Sequence, residues 1–327
     1  MIKKVLLLLT PFVILSALVY LYNRQATTHP LALSKEAFDS SIGVDRFGKE
    51  FVFEKPLDLE MGQIAYSLIE MRSKEWHEGS LPLIPFEIHQ IWVGEGPLPD
   101  DLARGAQSVR LFHKNAPYTL WTAKEYEPLL KKALGSASDS LPKELVRDIV
   151  AALILLQKGG VVIDLEAECV QPITPLLSLG DCIIGFEPPS RCAHFKRRLL
   201  LSSSVIAAVP AHPLIREWLK TMIHRAQFMT AMKQKKFSLW ATQEALTTTM
   251  ACLAKEYGRT LLVGPTYFCP VAPSYIREFQ GILDGTQHHS TTKKVLQSLH
   301  VLETLPYSDV ALETVCIHMK GGRQGKG

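Results

Sequence analysis

The segment spanning residues 142–168 constrains the fold more than any other part of the chain. Apolar residues recur at helical spacing from Pro142 to Lys158, which predicts an amphipathic helix. Gly159-Gly160 ends that helix, as glycine commonly does. Val161-Val162-Ile163 follows without a polar residue, which is typical of a strand buried on both faces of a sheet. The segment therefore predicts a helix that leads into an inner strand of an α/β fold.

Strand and helix patterns also alternate on both sides of this segment, which predicts a sheet that contains parallel strands and is flanked by helices. The predicted strands are Phe86–Val93, Tyr118–Trp121, Cys182–Phe186, Ser203–Ala208, Thr260–Val263 and Val315–Met319. The predicted helices outside the segment are Asp58–Trp76, Asp100–Lys114, one that ends near Leu134, His212–Lys233 and Thr242–Tyr257.

The composition is that of a folded protein with no nucleic-acid partner. Of 327 residues, 47% are hydrophobic and 21% are charged, a balance that argues against disorder. The formal net charge of +4 is small, and no compact Lys/Arg tract is interleaved with aromatic residues. The six cysteines form no Cys-x-x-Cys pair, so a zinc site is not expected.

The N-terminus predicts a membrane anchor. Lys3 and Lys4 precede an apolar run from Val5 to Tyr22, close to the length that a spanning helix needs. Basic residues before such a run favour a cytoplasmic N-terminus, with the remainder of the chain on the far side of the membrane. A cleaved signal peptide is the alternative reading of the same run. The predicted division is an anchor (1–24), a stem with a lead-in helix (25–80) and the main domain (81–327).

Three acidic residues directly follow the apolar strand. In extended chain, residues two apart point the same way, so Asp164, Glu166 and Glu168 are expected to project to one side. Neighbouring carboxylates repel one another unless a cation lies among them, and carboxylate oxygens suit Mg²⁺ or Mn²⁺. An acidic surface turn is the simpler alternative.

Two blocks of sequence together resemble glycosyltransferase family 32. Ile84-Pro85 followed by Ile88-His89-Gln90-Ile91-Trp92 is similar to the strand that opens the family's domain. The stretch from Leu145 to Cys169 is similar to the family's DXD region. Weaker matches extend the resemblance over roughly residues 84–320 and lie at Tyr118–Trp121, His212-Pro213, Thr242–Thr247 and His318.

This resemblance implies a GT-A-like, Rossmann-type mixed sheet and a metal-dependent hexosyltransferase that retains anomeric configuration. The implied donor is a nucleotide-diphosphate sugar, the implied cofactor is Mn²⁺ or Mg²⁺, and the acceptor is a glycan or lipid. The residues carried over are Asp148 toward the donor sugar, Asp164 and Glu166 as the acidic DXD positions and metal ligands, His318 as a further metal ligand, and Ile91 and Trp92 near the base pocket.

Three departures from the family pattern leave other functions open. Glu166 replaces the second DXD aspartate, Ala151 replaces an arginine, and Thr242-Gln243-Glu244 replaces Thr-Gly-Pro. These changes suit a sugar-nucleotide-binding protein of the same fold with little or no turnover. A metal-dependent phosphohydrolase could use the same carboxylates, but a second dense acidic cluster is absent from the sequence.

Overall fold

The computed structural model describes residues 33–42, 44, 48–75, 81–169, 171–188, 192, 197–231, 240–253, 259–268 and 316–318. The predicted membrane anchor, Val5–Tyr22, lies outside these residues. Within the described ranges, none of the helices has the length and apolar character that a membrane span requires.

Helices and strands alternate through most of the described chain. The helices are α1 (Lys35–Ser41), α2 (Lys49–Val52), α3 (Pro56–Glu75), α4 (Asp100–Phe112), α5 (Ala123–Leu134), α6 (Lys143–Lys158), α7 (Pro213–Ala231), α8 (Trp240–Leu253) and α9 (Pro265–Phe268). The strands are β1 (Ile88–Ile91), β2 (Tyr118–Trp121), β3 (Gly160–Ile163), β4 (Ala167–Cys169), β5 (Cys182–Phe186), β6 (Leu201–Ala208), β7 (Thr260–Val263) and β8 (Cys316–His318).

Six strands form a mixed sheet in the order β2-β1-β3-β6-β5-β7. β1 is parallel to β2 and β3, and β5 is parallel to β7, whereas β6 runs antiparallel to both of its neighbours, β3 and β5. The predicted mixed α/β sheet is therefore confirmed. Because β6 alone is reversed among the described strands of this sheet, its amino end lies at the same edge as the carboxyl ends of β1, β3 and β5.

A second, two-stranded sheet joins the acidic segment to the end of the described chain. β4 and β8 pair antiparallel, with Ala167 opposite His318 and Cys169 opposite Cys316. The pairing places the backbone of residue 318 beside the residue that follows Glu166. The sequence did not predict β4, because its three residues lie within the acidic run.

The core lies between the sheet and α6, α7 and α8. Leu145, Ile149 and Leu155 of α6 are fully buried, as is Trp218 of α7, whose indole Nε1 donates to the carbonyl of Thr242 at 3.2 Å. Burying each such aliphatic side chain contributes about 1.5–3 kcal/mol. The predicted periodicity of α6 is thus the pattern of a helix packed on the sheet.

Residues 33–75, expected to be a stem and a lead-in helix, contribute to the same core. Phe38 of α1 is 3% exposed, and its ring packs edge-on against Phe186 at 5.5 Å between centroids. Asp58, in the first turn of α3, accepts the backbone N–H groups of Leu199 at 3.1 Å and Arg198 at 3.4 Å. This carboxylate therefore fastens α3 to the chain that enters β6.

The turn between α6 and β3 depends on glycine. Gly159 and Gly160 have φ values of +69° and +91°. A Cβ atom on Gly159 would lie 2.7 Å from Pro210 Cδ and 2.9 Å from the carbonyl oxygen of Ala208. Both the backbone conformation and the available space thus exclude a side chain at residue 159.

Gly159→Ala is expected to destabilise the protein more than Gly135→Ala. The two glycines have similar backbone angles, φ 69°/ψ −152° and φ 59°/ψ −136°, but a Cβ on Gly135 would meet nothing within 4 Å. Backbone strain should cost about 1–3 kcal/mol at either position, and overpacking about 1–3 kcal/mol more at residue 159. Urea unfolding of both variants measures the difference, and equal losses would contradict the packing argument.

His89 of β1 fastens the same turn to the sheet. Its Nε2 lies 3.2 Å from the carbonyl of Gly159, and its Nδ1 accepts from the indole of Trp121 at 3.4 Å. A neutral ring with its proton on Nε2 satisfies both contacts. Burial lowers the pKa of His89 below its usual value, against an opposing contribution from the Gly159 carbonyl.

The free energy of unfolding should therefore fall as the pH drops below about 6.5, because the unfolded chain takes up a proton that buried His89 resists. His113 is also buried, and its pKa is also lowered by burial, so it adds to the slope. His89→Gln is expected to be less stable at pH 7.5 and to show a shallower decline between pH 7 and 5. Urea unfolding across this range tests it, and an unchanged slope would mean that His89 does not titrate as proposed.

Candidate active site

Polar side chains gather at the edge of the sheet where β1 and β3 end and β6 begins. Asp164 directly follows β3, and its backbone N–H donates to the carbonyl of Ser204 at 2.7 Å. Gln90 of β1 donates to the carbonyl of Asp164 at 3.3 Å and accepts from the Tyr118 hydroxyl at 2.9 Å. These contacts from the two neighbouring strands fix the backbone that carries the Asp164 carboxylate.

An arginine bridges the two predicted site aspartates. Arg147 donates to Asp148 Oδ1 from Nε at 2.9 Å and from Nη2 at 2.5 Å, and its Nη1 pairs with Asp164 Oδ2. Nη2 also lies 2.7 Å from the hydroxyl of Ser203, at the start of β6. Asp148 and Asp164, which the sequence predicted as site residues, are therefore brought together by a residue that it did not single out.

The side chains of Arg147, Asp148 and Asp164 form an ion cluster that is largely buried. The side chain of Asp148 is 1% exposed, that of Arg147 is 17% exposed and that of Asp164 is 14% exposed. Burial raises the pKa of Asp148, although Arg147 and a hydrogen bond with Thr242 oppose the rise. Burial alone would lower the pKa of Arg147, but Asp148 and Asp164 outweigh it and raise that pKa, so the guanidinium stays charged. A solvent-exposed or capping role for Asp148 is thereby excluded.

The acidic segment turns instead of running straight. Asp164 Oδ1 accepts the backbone N–H of Glu166 at 3.1 Å, and the N–H of Ala167 donates to the Asp164 carbonyl at 3.0 Å. The extended arrangement predicted for Asp164, Glu166 and Glu168 is therefore wrong, because the Asp164 side chain draws the backbone into a turn. Across the described ranges, no three Asp, Glu, His or Cys residues are grouped so that they could hold a metal.

Asp164 and Glu166 nevertheless have the chemistry that a hard divalent cation requires. Both side chains are half-buried, two residues apart, and offer carboxylate oxygens at the end of a strand. Asp164 Oδ2 is the oxygen that Arg147 holds, so a cation there would take the place of the guanidinium. The backbone of residue 318, opposite Ala167, lies beside this turn. The carboxylate oxygens of Asp164 and Glu166 thus fit Mg²⁺ or Mn²⁺, provided that the ion pair between Arg147 and Asp164 breaks.

Ile91 and Trp92, expected near a base pocket, differ in their surroundings. Ile91 is 5% exposed and belongs to the hydrophobic core. Trp92 is half-buried just beyond β1, and its indole Nε1 donates to the carbonyl of Gly96 at 3.0 Å. The ring lies on Gly94, where a Cβ would come within 2.0 Å of it. A role in donor binding stays a prediction for both residues.

The positions that depart from the family pattern also lie at or near this edge. Ala151 is buried, at 3% exposure, and Arg147 supplies a guanidinium one helical turn earlier on the same face of α6. In the first turns of α8, Thr242 bonds to Asp148, Gln243 donates to Glu187 at 2.5 Å, and Glu244 pairs with Arg197 at 2.7 Å. The first turns of α8 therefore contribute to the site and to its support.

Sequence comparison relates the chain to fungal mannosyltransferases. A mannosyl phosphorylinositol ceramide synthase of Saccharomyces cerevisiae is 26% identical over 154 residues, 46% of this chain and 38% of that protein. A second synthase of that name from the same yeast is 29% identical over 147 residues, 43% of this chain and 35% of that protein. Inositol phosphoceramide mannosyltransferase 1 of Schizosaccharomyces pombe is 27% identical over 144 residues, 42% of each chain.

The chain thus matches 35 to 42% of the length of these curated relatives. No protein-family profile matches it. Among solved structures, one described as PaToxG Glycosyltransferase covers 62% of this chain and 79% of its own, at 15% identity and a TM-score of 0.39, too low to bear on fold or function. The three curated relatives are glycosyltransferases by name, which supports the enzyme class predicted from the sequence.

Asp148→Asn is expected to lower the free energy of unfolding by about 2 kcal/mol. Breaking a buried ion pair usually costs about 3–5 kcal/mol, but Arg147 retains Asp164 and some access to water. Glu70→Gln is the control, since it removes an ion pair with Lys74 whose side chains are 70% and 71% exposed. The control should leave the urea midpoint unchanged. Equal midpoints for both variants would show that the Arg147–Asp148 pair does not stabilise the fold.

Proposed function

We propose that this chain is a metal-dependent glycosyltransferase with a GT-A-like fold. It transfers a hexose, with mannose as the first candidate, from a nucleotide-diphosphate sugar to a lipid or glycan acceptor. The observation that carries the proposal is that Arg147 brings Asp148 and Asp164 together at the carboxyl edge of the sheet. Open α/β sheets bind ligands at this edge, and the chain's relatives are named as mannosyltransferases.

Asp148 and Arg147 would bind and orient the donor. The Asp148 carboxylate is buried and held by Arg147, Thr242 and Ser203, so it would act on the donor through the Arg147 guanidinium that it keeps in place. A site fixed before binding loses little entropy when the donor arrives. The resemblance to family 32 further suggests retention of anomeric configuration, and no residue of the site is assigned as a nucleophile.

Asp164 and Glu166 would hold Mn²⁺ or Mg²⁺, with His318 as a further ligand suggested by the pairing of β4 and β8. When bound, such an ion supplies charge stabilisation to the departing diphosphate. The surrounding residues would hold Asp164, the first metal ligand, in position. Gln90 and Ser204 hold the Asp164 backbone, and the turn to Glu166 holds one carboxylate oxygen.

The acceptor proposed first is an inositol-containing sphingolipid, because the relatives are named for inositol phosphoceramide. A lipid acceptor also suits an enzyme anchored by residues 5–22. The proposed location is a single-pass membrane protein with a cytoplasmic N-terminus and the catalytic domain on the far side. Retention in the membrane pellet after alkaline washing tests the anchor.

The activity test incubates the full-length chain, in detergent, with inositol phosphoceramide and a panel of nucleotide sugars that includes GDP-mannose, UDP-glucose and UDP-galactose. Mass spectrometry of the lipid reports transfer of one hexose, with Mn²⁺ or with EDTA. Hexose transfer that requires Mn²⁺ is the expected result. Donor binding without transfer would instead favour a sugar-nucleotide-binding protein, and phosphate release from simple phosphomonoesters would favour a phosphohydrolase.

Glu166→Ala is expected to abolish Mn²⁺-dependent donor binding, whereas Glu166→Asp retains it. The aspartate keeps a carboxylate beside Asp164, and a changed rotamer or a bridging water spans the missing methylene. Glu168→Ala is the matched control, because the turn at Glu166 separates Glu168 from Asp164. Calorimetric titration of Mn²⁺ with donor present compares the three variants with wild type.

The same titration decides between the two glutamates. Undiminished binding by Glu166→Ala would remove Glu166 from the ligand set, and lost binding by Glu168→Ala would put Glu168 in its place. The urea midpoint of Glu166→Ala should lie close to that of wild type, since the relief of repulsion from Asp164 offsets the lost attraction to the Arg147 guanidinium.

A further inference from the structure

The guanidinium of Arg147 lies between Asp148 and Asp164 and holds an oxygen of Asp164, the first of the proposed metal ligands. Its Nη1 pairs with Asp164 Oδ2, and its other two nitrogens donate to Asp148 Oδ1. The side chain is 17% exposed, so most of its positive charge is balanced by protein groups instead of water. One of the two negative charges is therefore already balanced by a residue of the chain itself.

The contacts of Arg147 with the two aspartates are unequal. Asp148 receives two donors, from Nε at 2.9 Å and Nη2 at 2.5 Å, and Ser203 Oγ lies 2.7 Å from Nη2. From the guanidinium, Asp164 receives one donor, Nη1. Three hydrogen bonds thus anchor the guanidinium to α6 and β6, and the contact with Asp164 is the one whose loss breaks the fewest of its bonds.

A divalent cation would compete with Arg147 for the same oxygen. Asp164 Oδ1 already accepts the backbone N–H of Glu166 at 3.1 Å, which maintains the turn. Oδ2 is the oxygen that a cation could take without breaking that turn. A doubly charged ion and a guanidinium on one oxygen repel each other strongly in a site with little water.

We propose that Arg147 is a built-in competitor of the divalent cation. In the protein without donor it holds Asp164, and on metal binding it releases Asp164 while keeping Asp148 and Ser203. The released Nη1 then donates to the diphosphate of the nucleotide sugar. This inference rests on the proposed function, in which Asp164 is a metal ligand.

Such a competitor couples metal and donor binding. Metal binding alone breaks an ion pair, so the affinity of the free protein for Mn²⁺ is reduced. A diphosphate offers the displaced guanidinium a new partner, so donor and metal raise each other's affinity. Arginine suits this exchange, because its planar fork pairs as readily with phosphate as with carboxylate.

The test titrates Mn²⁺ alone into the full-length wild type, Asp148→Asn and the double variant Arg147→Gln/Asp148→Asn. The double variant removes one positive and one negative charge, so the net charge of the site is unchanged. It removes the Arg147 contact from Asp164 Oδ2 and is expected to bind Mn²⁺ about tenfold more tightly than wild type. Asp148→Asn, which leaves Arg147 with Asp164 as its remaining carboxylate, should bind Mn²⁺ more weakly than wild type.

An effect of net charge alone predicts a different order. The double variant would then match wild type, and that result would overturn the proposal. Arg147→Lys provides a second measurement if the double variant fails to fold, as judged by circular dichroism. A single ammonium cannot span both aspartates as the guanidinium does, so tighter Mn²⁺ binding is again expected, and unchanged binding again overturns the proposal.

GDP added with saturating Mn²⁺ supplies the second readout. The double variant should bind GDP more weakly than wild type while binding Mn²⁺ more tightly, a combination that a merely structural role for Arg147 does not produce. Failure of this inference is distinct from failure of the proposed function. If wild type transfers hexose but binds Mn²⁺ at least as tightly as the double variant, the competition between Arg147 and the cation is rejected and the proposed transferase activity is retained.

Discussion

A buried carboxylate that needs a counter-ion organises this end of the protein. Asp148 is enclosed by α6, β6 and α8, and the charge on such a group is tolerated only beside a partner. Arg147 is that partner, and its length lets it reach Asp164 at the end of β3 as well. One guanidinium therefore links a helix to the end of a strand, and this link brings the two aspartates of the candidate site together.

The glycine turn and the reversed strand make this arrangement possible. Gly159-Gly160 returns the chain from α6 directly into β3, so residues 148 and 164 face each other across one connection. β6 enters the sheet in the opposite direction, which brings Ser203 to the same edge as the carboxyl end of β3. If β6 ran parallel to β3, its carboxyl end with Ala208 would lie at this edge in place of Ser203. The reversed direction of β6 therefore places the Ser203 hydroxyl within hydrogen-bond distance of Arg147.

Local patterns predicted the parts of the site but not their contacts. The periodicity of α6, the apolar strand β3 and the acids after it were all evident, because each depends on residues close in sequence. The turn at Glu166 was not evident, because it depends on the Asp164 side chain accepting the backbone N–H of Glu166, a contact that an extended strand does not make. Gln90 and Arg147 were passed over because their partners, Tyr118, Asp164 and Ser203, lie 17 to 74 residues away. The short helices α1 and α2 left too few turns for a periodic signal.

The position of β6 has a consequence for how the chain folds. It lies between β3 and β5 in the sheet although it follows both in sequence, and Asp58 bonds to Leu199, just before it, across 141 residues. β6 pairs with β5 across the short connection between Phe186 and Leu201, and with β3 across the longer connection between Ile163 and Leu201, so the pairing with β3 is the slower of the two. Until both pairings have formed, β3 and β5 expose unpaired edges made almost wholly of apolar residues. Such edges attract other unfolded chains, so the risk of aggregation is concentrated in the interval before β6 is inserted.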